Sequence, residues 1–413
     1  MRMGVPRERA EGEARVALIP PVARRLVDRG IDVCVEAGAG ERSDWSDEAY
    51  RDAGCEVVAE RSAVFERADV VVQVRALGAD DRSDVDPYRE GQVVIGMLGP
   101  YSVGEGALEA LADRDVSAFA LELIPRISRA QSMDVLSSMA SLGGYKSAVM
   151  AADALPKLFP MQMTAAGTVR PAEVFVVGAG VAGLQAIATA RRLGASVRAY
   201  DIRPEVKEEV ESLGADFVEL DLETDDASDE GGHAREQDEA FYEKQREMMH
   251  RVVADSDVVI TSAAVPGRPS PELVTAEMID GMEPGSVIVD LAAEGGGNCE
   301  PTVPGETVEY AGVTVFGPTD LPSTLRRTAS QLYANNVKNF LSELLDDGEL
   351  AIDLDDQIVD ATLLTHGGAV RNPHLEEEAG DGEDEATDEE DEATGGEAEA
   401  DGGVAGEEGS DAA

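Results

Sequence analysis

The sequence predicts an α/β protein with two doubly wound parallel-sheet domains and an acidic C-terminal tail that stays disordered. Three observations carry that prediction. Short runs of strand formers alternate with helical stretches over most of the chain, the pattern of strand-helix-strand units. One such run, Val174-Phe175-Val176-Val177, leads directly into Gly178-Ala179-Gly180-Val181-Ala182-Gly183, a G-x-G-x-x-G turn that opens a helix. From Glu376 the chain is dominated by Gly, Ala and acids, with 18 Asp or Glu between 376 and 411 and no Lys or Arg, too polar to bury a core.

Met3-Gly4-Val5 reads as the first strand, followed by a helix through Val22 to Asp28 and a strand from Ile31 to Glu36. Asp69 to Val74 and Val93 to Leu98 are buried-strand runs, Glu105 to Leu111 is a short helix, and Ser117 to Glu122 is a further strand. Ile124 to Gly144, rich in Ser, Met and Arg, breaks the alternation and is expected to hand one domain over to the next. A connecting helix is expected from Tyr145 to Leu158.

At the glycine turn, Gly178 permits the sharp reversal, Gly180 lets a pyrophosphate approach the backbone, and Gly183 lets the helix pack close to the strand. Free N–H groups at the helix start would hold the phosphates. This is the pattern of a Rossmann dinucleotide-binding unit. Leu184 to Leu193 continues the helix, Gly194 can end it, and Ser196 to Tyr200 is the second strand, closing on Asp201, 18 residues past Gly183. The Asp201 carboxylate suits adenosine ribose hydroxyls and repels a 2′-phosphate, which favours NAD, while Arg203 is the nearby group able to accommodate that phosphate.

Glu219 to Arg246 is polar and acidic with Gly231-Gly232 inside, and is expected to be a mobile loop leading into a helix. Val258 to Thr261 and Val287 to Asp290 continue the second sheet. Apolar Leu332, Val337, Phe340, Leu341, Leu344 and Leu345 recur at helical spacing, so an amphipathic helix over Gln331 to Leu345 is expected to return to the first domain. The expected domains are residues 1–137, completed by 325–374, then 138–324, then the tail 375–413.

The 413 residues are long enough for two cores, and their 43% hydrophobic content is ordinary. The charge is not: 34 basic against 84 acidic residues leave −50, which argues against nucleic acid or an anionic membrane surface as a partner. Lysine accounts for only five of those bases, an arginine-for-lysine, acid-rich surface of the kind expected in a salt-filled cytoplasm. Cys34, Cys55 and Cys299 are odd in number and far apart, suggesting reduced thiols rather than disulfides or a metal cluster. No stretch reaches the roughly 18 apolar residues of a membrane span, so a soluble, cytoplasmic chain is expected.

The four histidines, His233, His250, His366 and His374, all follow the glycine turn, and no lysine precedes Lys146. The first domain therefore lacks the usual proton-transfer side chains. Hydride transfer between two nicotinamide rings needs none, because the cofactors carry the chemistry and the protein positions them.

Pro125-Arg126-Ile127-Ser128-Arg129-Ala130-Gln131-Ser132-Met133-Asp134, Met163 to Thr168, Gly178 to Ala190, and Asp290-Leu291-Ala292 with Gly296-Gly297-Asn298 closely resemble the NAD(H)-binding component of proton-translocating nicotinamide nucleotide transhydrogenases. The resemblance covers roughly residues 1 to 374. Alanine dehydrogenases, in the same superfamily, share Arg15-Val16-Ala17-Leu18 and the glycine turn but little of the 126–134 segment. The resemblance implies that this segment is a loop over the nicotinamide, with Arg126, Gln131, Asp134 and Ser137 orienting the ring and facing an NADP(H)-binding subunit. It also implies that Ile127, Ser128, Val181, Asp201, Ile202, Arg203, Gly232, Gln245 and Ala264 line the NAD(H) site together with Gly178, Gly180 and Gly183. Independently, an Arg, an amide and a carboxylate on one loop supply the donors and acceptors a carboxamide and a ribose need.

By the same resemblance the protein is expected to be a homodimer at the cytoplasmic face of the plasma membrane, attached only through separate membrane subunits that conduct protons. Two departures are visible. Arg75 and Met97 stand where alanine dehydrogenases carry a substrate-binding lysine and a histidine, which argues against amino-acid deamination. His233 stands where the transhydrogenase mobile loop carries a tyrosine. An alanine-dehydrogenase-like enzyme and a non-catalytic NAD(H)-sensing module are the competing readings.

Overall fold

Val70, Val71, Val72 and Val74 are completely buried in a six-residue strand, the signature of a parallel strand covered on both faces. Each such side chain contributes roughly 1.5–3 kcal/mol by leaving water. In this computed structural model, which describes residues 1–77, 84–219, 239–265, 267–346 and 348–371, that strand is the fourth of an eight-stranded sheet.

The first sheet contains β1 (Arg2–Val5), β2 (Asp32–Glu36), β3 (Glu56–Val58), β4 (Val70–Arg75), β5 (Val93–Met97) and β6 (Ser117–Ala120). Its order from one edge is β3-β2-β1-β4-β5-β6, all parallel, the doubly wound order that reverses between β1 and β4. A separate hairpin, β7 (Gln162–Thr164) and β8 (Gly167–Val169), is exposed along its whole length.

The second sheet repeats the plan with β9 (Glu173–Val177), β10 (Ser196–Tyr200), β11 (Asp216–Phe217), β12 (Val258–Thr261), β13 (Val287–Asp290), β14 (Thr307–Tyr310) and β15 (Val313–Phe316). Its order is β11-β10-β9-β12-β13-β15-β14, parallel except for β14, so the order reverses between β9 and β12. The α/β class with two Rossmann-like units is therefore as expected.

The chain then returns. The helix Arg326–Leu341 buries Tyr333, Val337, Phe340 and Leu341 in the first core, where Phe340 meets Phe119 edge-on at 5.5 Å and Tyr333 Oη donates to the Gln73 carbonyl at 2.8 Å. After a short pair, β16 (Leu345–Asp346) and β17 (Glu349–Leu350), β18 (Leu363–His366) runs antiparallel to β6 and β19 (Ala369–Val370) forms the sheet edge.

Two helix boundaries differ from the sequence expectation. The connecting helix runs from Val135 to Ala154 rather than from Tyr145 to Leu158, so it starts inside the segment expected to be irregular. Asp134 caps it, and its small residues let it pack closely against the glycine-turn helix: a Cβ on Gly144 would lie 2.0 Å from the Ala182 carbonyl oxygen. The returning helix ends at Leu341, where a 3-10 turn, Ser342–Leu344, takes over. The hairpin of β14 and β15 had no expectation at all. The loop expected after Glu219, with Gly232 and His233, lies mostly outside the described residues, whereas its following helix is present as Glu239–Ala254. The acidic tail also lies outside them.

Candidate nucleotide site

The glycine turn sits where β9 meets the helix Val181–Leu193, beside the reversal point of the second sheet. Gly178 adopts φ +92°, a conformation L side chains rarely take, and its N–H donates to the Tyr200 carbonyl at 2.8 Å. A Cβ on Gly183 would lie 1.8 Å from the Gly178 carbonyl oxygen, so only glycine allows the helix this close to the turn. Gly180 differs, because nothing lies within 4 Å of where its Cβ would be. The N-cap residue is Gly180, which has no side chain to cap the N–H groups of the first turn. A pyrophosphate fits such a cradle on both counts: room at Gly180 and uncapped donors.

Asp201 closes the second strand and is 8% exposed. Its Oδ2 accepts from the Ala179 N–H at 2.7 Å and from Arg203 Nη2 at 2.9 Å. Its Oδ1 accepts from the Arg203 backbone N–H and Nε, both at 2.9 Å. Those hydrogen bonds raise the Arg203 guanidinium above its already high range. The acid is thus held by the arginine two residues on, and it also ties the second strand to the glycine turn. Ile202 is half-buried between them. Gln245 is buried beneath this end of the sheet, where its Nε2 donates to Tyr200 Oη at 3.0 Å.

Val181 is exposed at the first position of the helix, and Ala264 is exposed on the segment after β12. That segment is stitched down on two sides. Ser262 Oγ donates to the Gly178 carbonyl at 3.2 Å. Asn298 Oδ1 accepts from the Ala263 N–H at 2.9 Å, and Asn298 Nδ2 donates to the Ala263 and Pro271 carbonyls at 2.7 and 2.8 Å. Asn298 is held in turn by Asp290, a fully buried carboxylate at the end of β13 that accepts from Thr261 Oγ1, Ala292 N, Asn298 N, Cys299 N and Thr302 Oγ1. Ser262 escaped the sequence reading, and Asp290 entered it only within a motif. Its position, an acid ending a buried strand like Asp201, was the signal available.

Residues 125–134 form successive tight turns, with Ala130 and Met133 buried in the first core. The returning segment clamps them. Arg129 pairs with Glu343 and Asp356, each at 2.6 Å, and the Ser132 carbonyl accepts from Asn336 and Asn339, each at 3.0 Å. Arg126, Ser128 and Gln131 are left exposed and Ile127 half-buried. Asp134 and Ser137 belong to the helix cap: the Asp134 carboxylate accepts from Ser137 N at 2.8 Å and from Ser137 Oγ at 2.6 Å. Helix Val135–Ala154 then carries this loop to the glycine turn, since Gly144, nine residues along, touches Ala182. At 1.5 Å per residue the loop stands roughly 14 Å up the helix from that contact. Gly232 is outside the described residues.

Neither the turn, the loop nor the 261–265 segment contains His or Lys, the side chains whose ordinary titration is most readily brought to neutral pH. Burial pushes the thiols of Cys55 and Cys299 up to about 11 and about 12, which makes them unreactive, and all three cysteines are free and buried. Among the described residues there is no candidate metal cluster, and no helix is long and apolar enough to cross a membrane.

Two doubly wound sheets, a glycine turn at the reversal point of one of them and an acid at the end of its second strand define a dinucleotide-binding protein of the α/β class. Residues 4–143 match the family described as "Alanine dehydrogenase/PNT, N-terminal domain" and residues 147–373 its C-terminal domain. The chain belongs to that family, and within it to the NAD(P) transhydrogenase alpha subunits. It is 45% identical over 380 residues to an NAD(P) transhydrogenase subunit alpha polypeptide of Rhodospirillum rubrum, covering 91% of this chain and 99% of that one. A transhydrogenase crystal structure from Sinorhizobium meliloti superposes with TM-score 0.78 at 43% identity, covering 90% of this chain and 99% of the other. An L-alanine dehydrogenase structure superposes as well, with TM-score 0.77, but at 26% identity over 92% and 99% of the two chains. The shared fold therefore does not separate the two branches, whereas the sequence does.

Proposed function

We propose that this chain is the NAD(H)-binding subunit of a proton-translocating transhydrogenase, exchanging hydride between its own NAD(H) and NADP(H) held on a partner subunit. NAD(H) supplies and accepts the hydride. The protein's role is to hold the pyrophosphate at Gly178, Gly180, Val181 and Gly183, to set the adenosine end against Asp201, Ile202 and Arg203, and to flank the cofactor with Ala264, Gln245 and Gly232. Arg126, Ile127, Ser128 and Gln131 orient the nicotinamide half, with Asp134 and Ser137 fixing the loop's exit into its helix.

The observation that carries this reading is the clamped 125–134 loop. Four contacts to the returning segment, two at the Arg129 side chain and two at the Ser132 carbonyl, hold the loop while Arg126, Ser128 and Gln131 are exposed, which suits a ring that must meet a second cofactor on another protein. In this reading the chain divides into residues 1–137 with 325–374, 138–324 and the tail 375–413. It acts as a homodimer, peripheral at the cytoplasmic membrane face through partner subunits that carry the proton path. The −50 charge and the scarcity of lysine suit a salt-rich cytoplasm. An alanine dehydrogenase is disfavoured because Arg75 is already ion-paired to Glu13 and Glu294.

Purified protein tests the proposal. Hydride exchange between an NADH analogue and NADP should appear only when an NADP(H)-binding transhydrogenase subunit is added. NADH formation from NAD and L-alanine would instead indicate a dehydrogenase, and NADH binding with no exchange in any mixture would leave a sensor.

A further inference from the structure

Glu13, Arg15 and Arg75 form an ionic cluster between the two sheets. The Glu13 side chain is fully buried and its carboxylate accepts from Arg15 three times: from the backbone N–H at 2.8 Å, Nε at 2.7 Å and Nη2 at 2.6 Å. Burial pushes that carboxyl upward, but the Arg15 hydrogen bonds and charge outweigh it and hold it below the usual range. Arg75, the last residue of β4, leans on the same carboxylate, Nε to Oε2 at 3.5 Å.

Both arginines then reach across to the second sheet. Arg75 Nη2 lies 3.6 Å from Glu294, in the 3-10 turn Ala293–Gly295 that follows β13. Arg15 Nη2 lies 3.5 Å from Asp320, which follows β15 and caps the short helix Leu321–Thr324. The base is dry and rigid, with side-chain exposures of 2% for Arg15 and 0% for Glu13, whereas the Arg75–Glu294 arm is open to solvent at 37% and 60%. A tight base with long, hydrated tips is the arrangement of a contact that can release without disturbing its anchor.

The Glu294 turn is coupled to the nucleotide site. Its flanks are bound to Ser270, whose N–H donates to the Gly295 carbonyl at 2.8 Å and whose Oγ donates to the Ala292 carbonyl at 3.2 Å. Asp290 holds Ala292 and Asn298, and Asn298 holds Ala263 and Pro271. A displacement at Glu294 is therefore passed to both ends of the segment that carries Ala264.

We propose that Glu13, Arg15 and Arg75 form a two-armed clasp that sets the spacing of the two sheets, with Arg75 a positioning residue acting through Glu294 on the 263–271 segment. Its rate consequence rests on the transhydrogenase reading, but its structural consequence does not.

The experiment labels Glu66→Cys and Glu283→Cys, exposed positions on the first and second sheets' sides, with nitroxides in a chain whose own cysteines are buried. Distances are measured in wild type, Arg75→Met, Glu294→Gln and the double variant. Each single change should lengthen or broaden the distance distribution. NADH affinity should move less than about three-fold while hydride transfer to the NADP(H)-binding subunit falls about ten-fold, a split expected of misplacement rather than lost binding. The double variant should lose no more than Arg75→Met alone, since that change already removes the contact to Glu294. Unchanged distances, or effects that multiply in the double variant, overturn the clasp. Glu294→Gln changes an exposed residue, so the test does not depend on a destabilised core. Failure of wild type to transfer hydride would refute the proposed function and leave the distance result to decide the clasp.

Discussion

Gly180→Ala and Gly183→Ala add one methyl at positions three residues apart, and the structure predicts opposite consequences. At Gly183 the new Cβ would lie 1.8 Å from the Gly178 oxygen, 2.8 Å from its carbonyl carbon and 3.3 Å from Ser262 Oγ. Gly178 cannot retreat, being held at φ +92° with its N–H on Tyr200. The helix must therefore move off the strand, an overpacking cost of roughly 1–3 kcal/mol or more, which lowers the melting temperature by several degrees. At Gly180 φ is −77° and the added methyl enters open space, so stability should stay within about 1 kcal/mol of wild type. That space is where the pyrophosphate lies in the proposed site. NADH affinity should fall about ten- to hundred-fold, or roughly 1.4–2.8 kcal/mol. Thermal unfolding and NADH fluorescence titration on the two variants decide the matter. If Gly180→Ala is stable and binds NADH like wild type, this turn does not hold the pyrophosphate. A Gly183→Ala variant as stable as wild type would refute the packing argument.

Two other predictions follow from buried carboxylates. Glu8 is 4% exposed and accepts from the Val74 and Arg75 N–H groups, and burial pushes it up to about 8 despite them. A raised acid contributes stability that is complete below its ordinary value near 4.5 and is lost as pH rises through about 8. Across that window the contribution amounts to roughly 4–5 kcal/mol. Glu8→Gln cannot titrate and resembles the protonated acid, so wild type should lose stability relative to the variant as pH rises from 4.5 to 8; a pH-independent difference in denaturant titrations would show that Glu8 keeps an ordinary affinity for protons. Asp201→Asn should free Arg203 for a 2′-phosphate and lower the preference for NADH over NADPH by about ten-fold or more. Dissociation constants measured at molar salt, where screening acts beyond about 3 Å, isolate this contact; an unchanged ratio would confine Asp201 to holding Arg203 and the Ala179 N–H.

Much of the fold was readable because its signals are local. Runs such as Val174 to Val177 and Val287 to Asp290 declare buried strands by composition alone, and the glycine turn declares itself by spacing. Gly178 and Gly183 prove to be glycines for the reasons the motif requires, one by its positive φ and the other by a carbonyl oxygen where a Cβ would stand. The start of the 135–154 helix is weakly signalled because Ser and Gly are poor helix formers; it depends on the Asp134 cap, and the small residues matter where Gly144 meets Ala182.

By itself, then, the sequence determined the alternation of strands and helices, the nucleotide turn and the acid that follows it, since each is decided within a few residues along the chain. Tertiary structure alone decided what the charged side chains do. Asp201 is held by Arg203 and the turn, Arg129 reaches Glu343, 214 positions away, and Arg75 reaches Glu294 on the other sheet. An arginine reads the same in sequence whichever acid it meets, and its partner is set by which strand ends the two folded sheets bring within 4 Å.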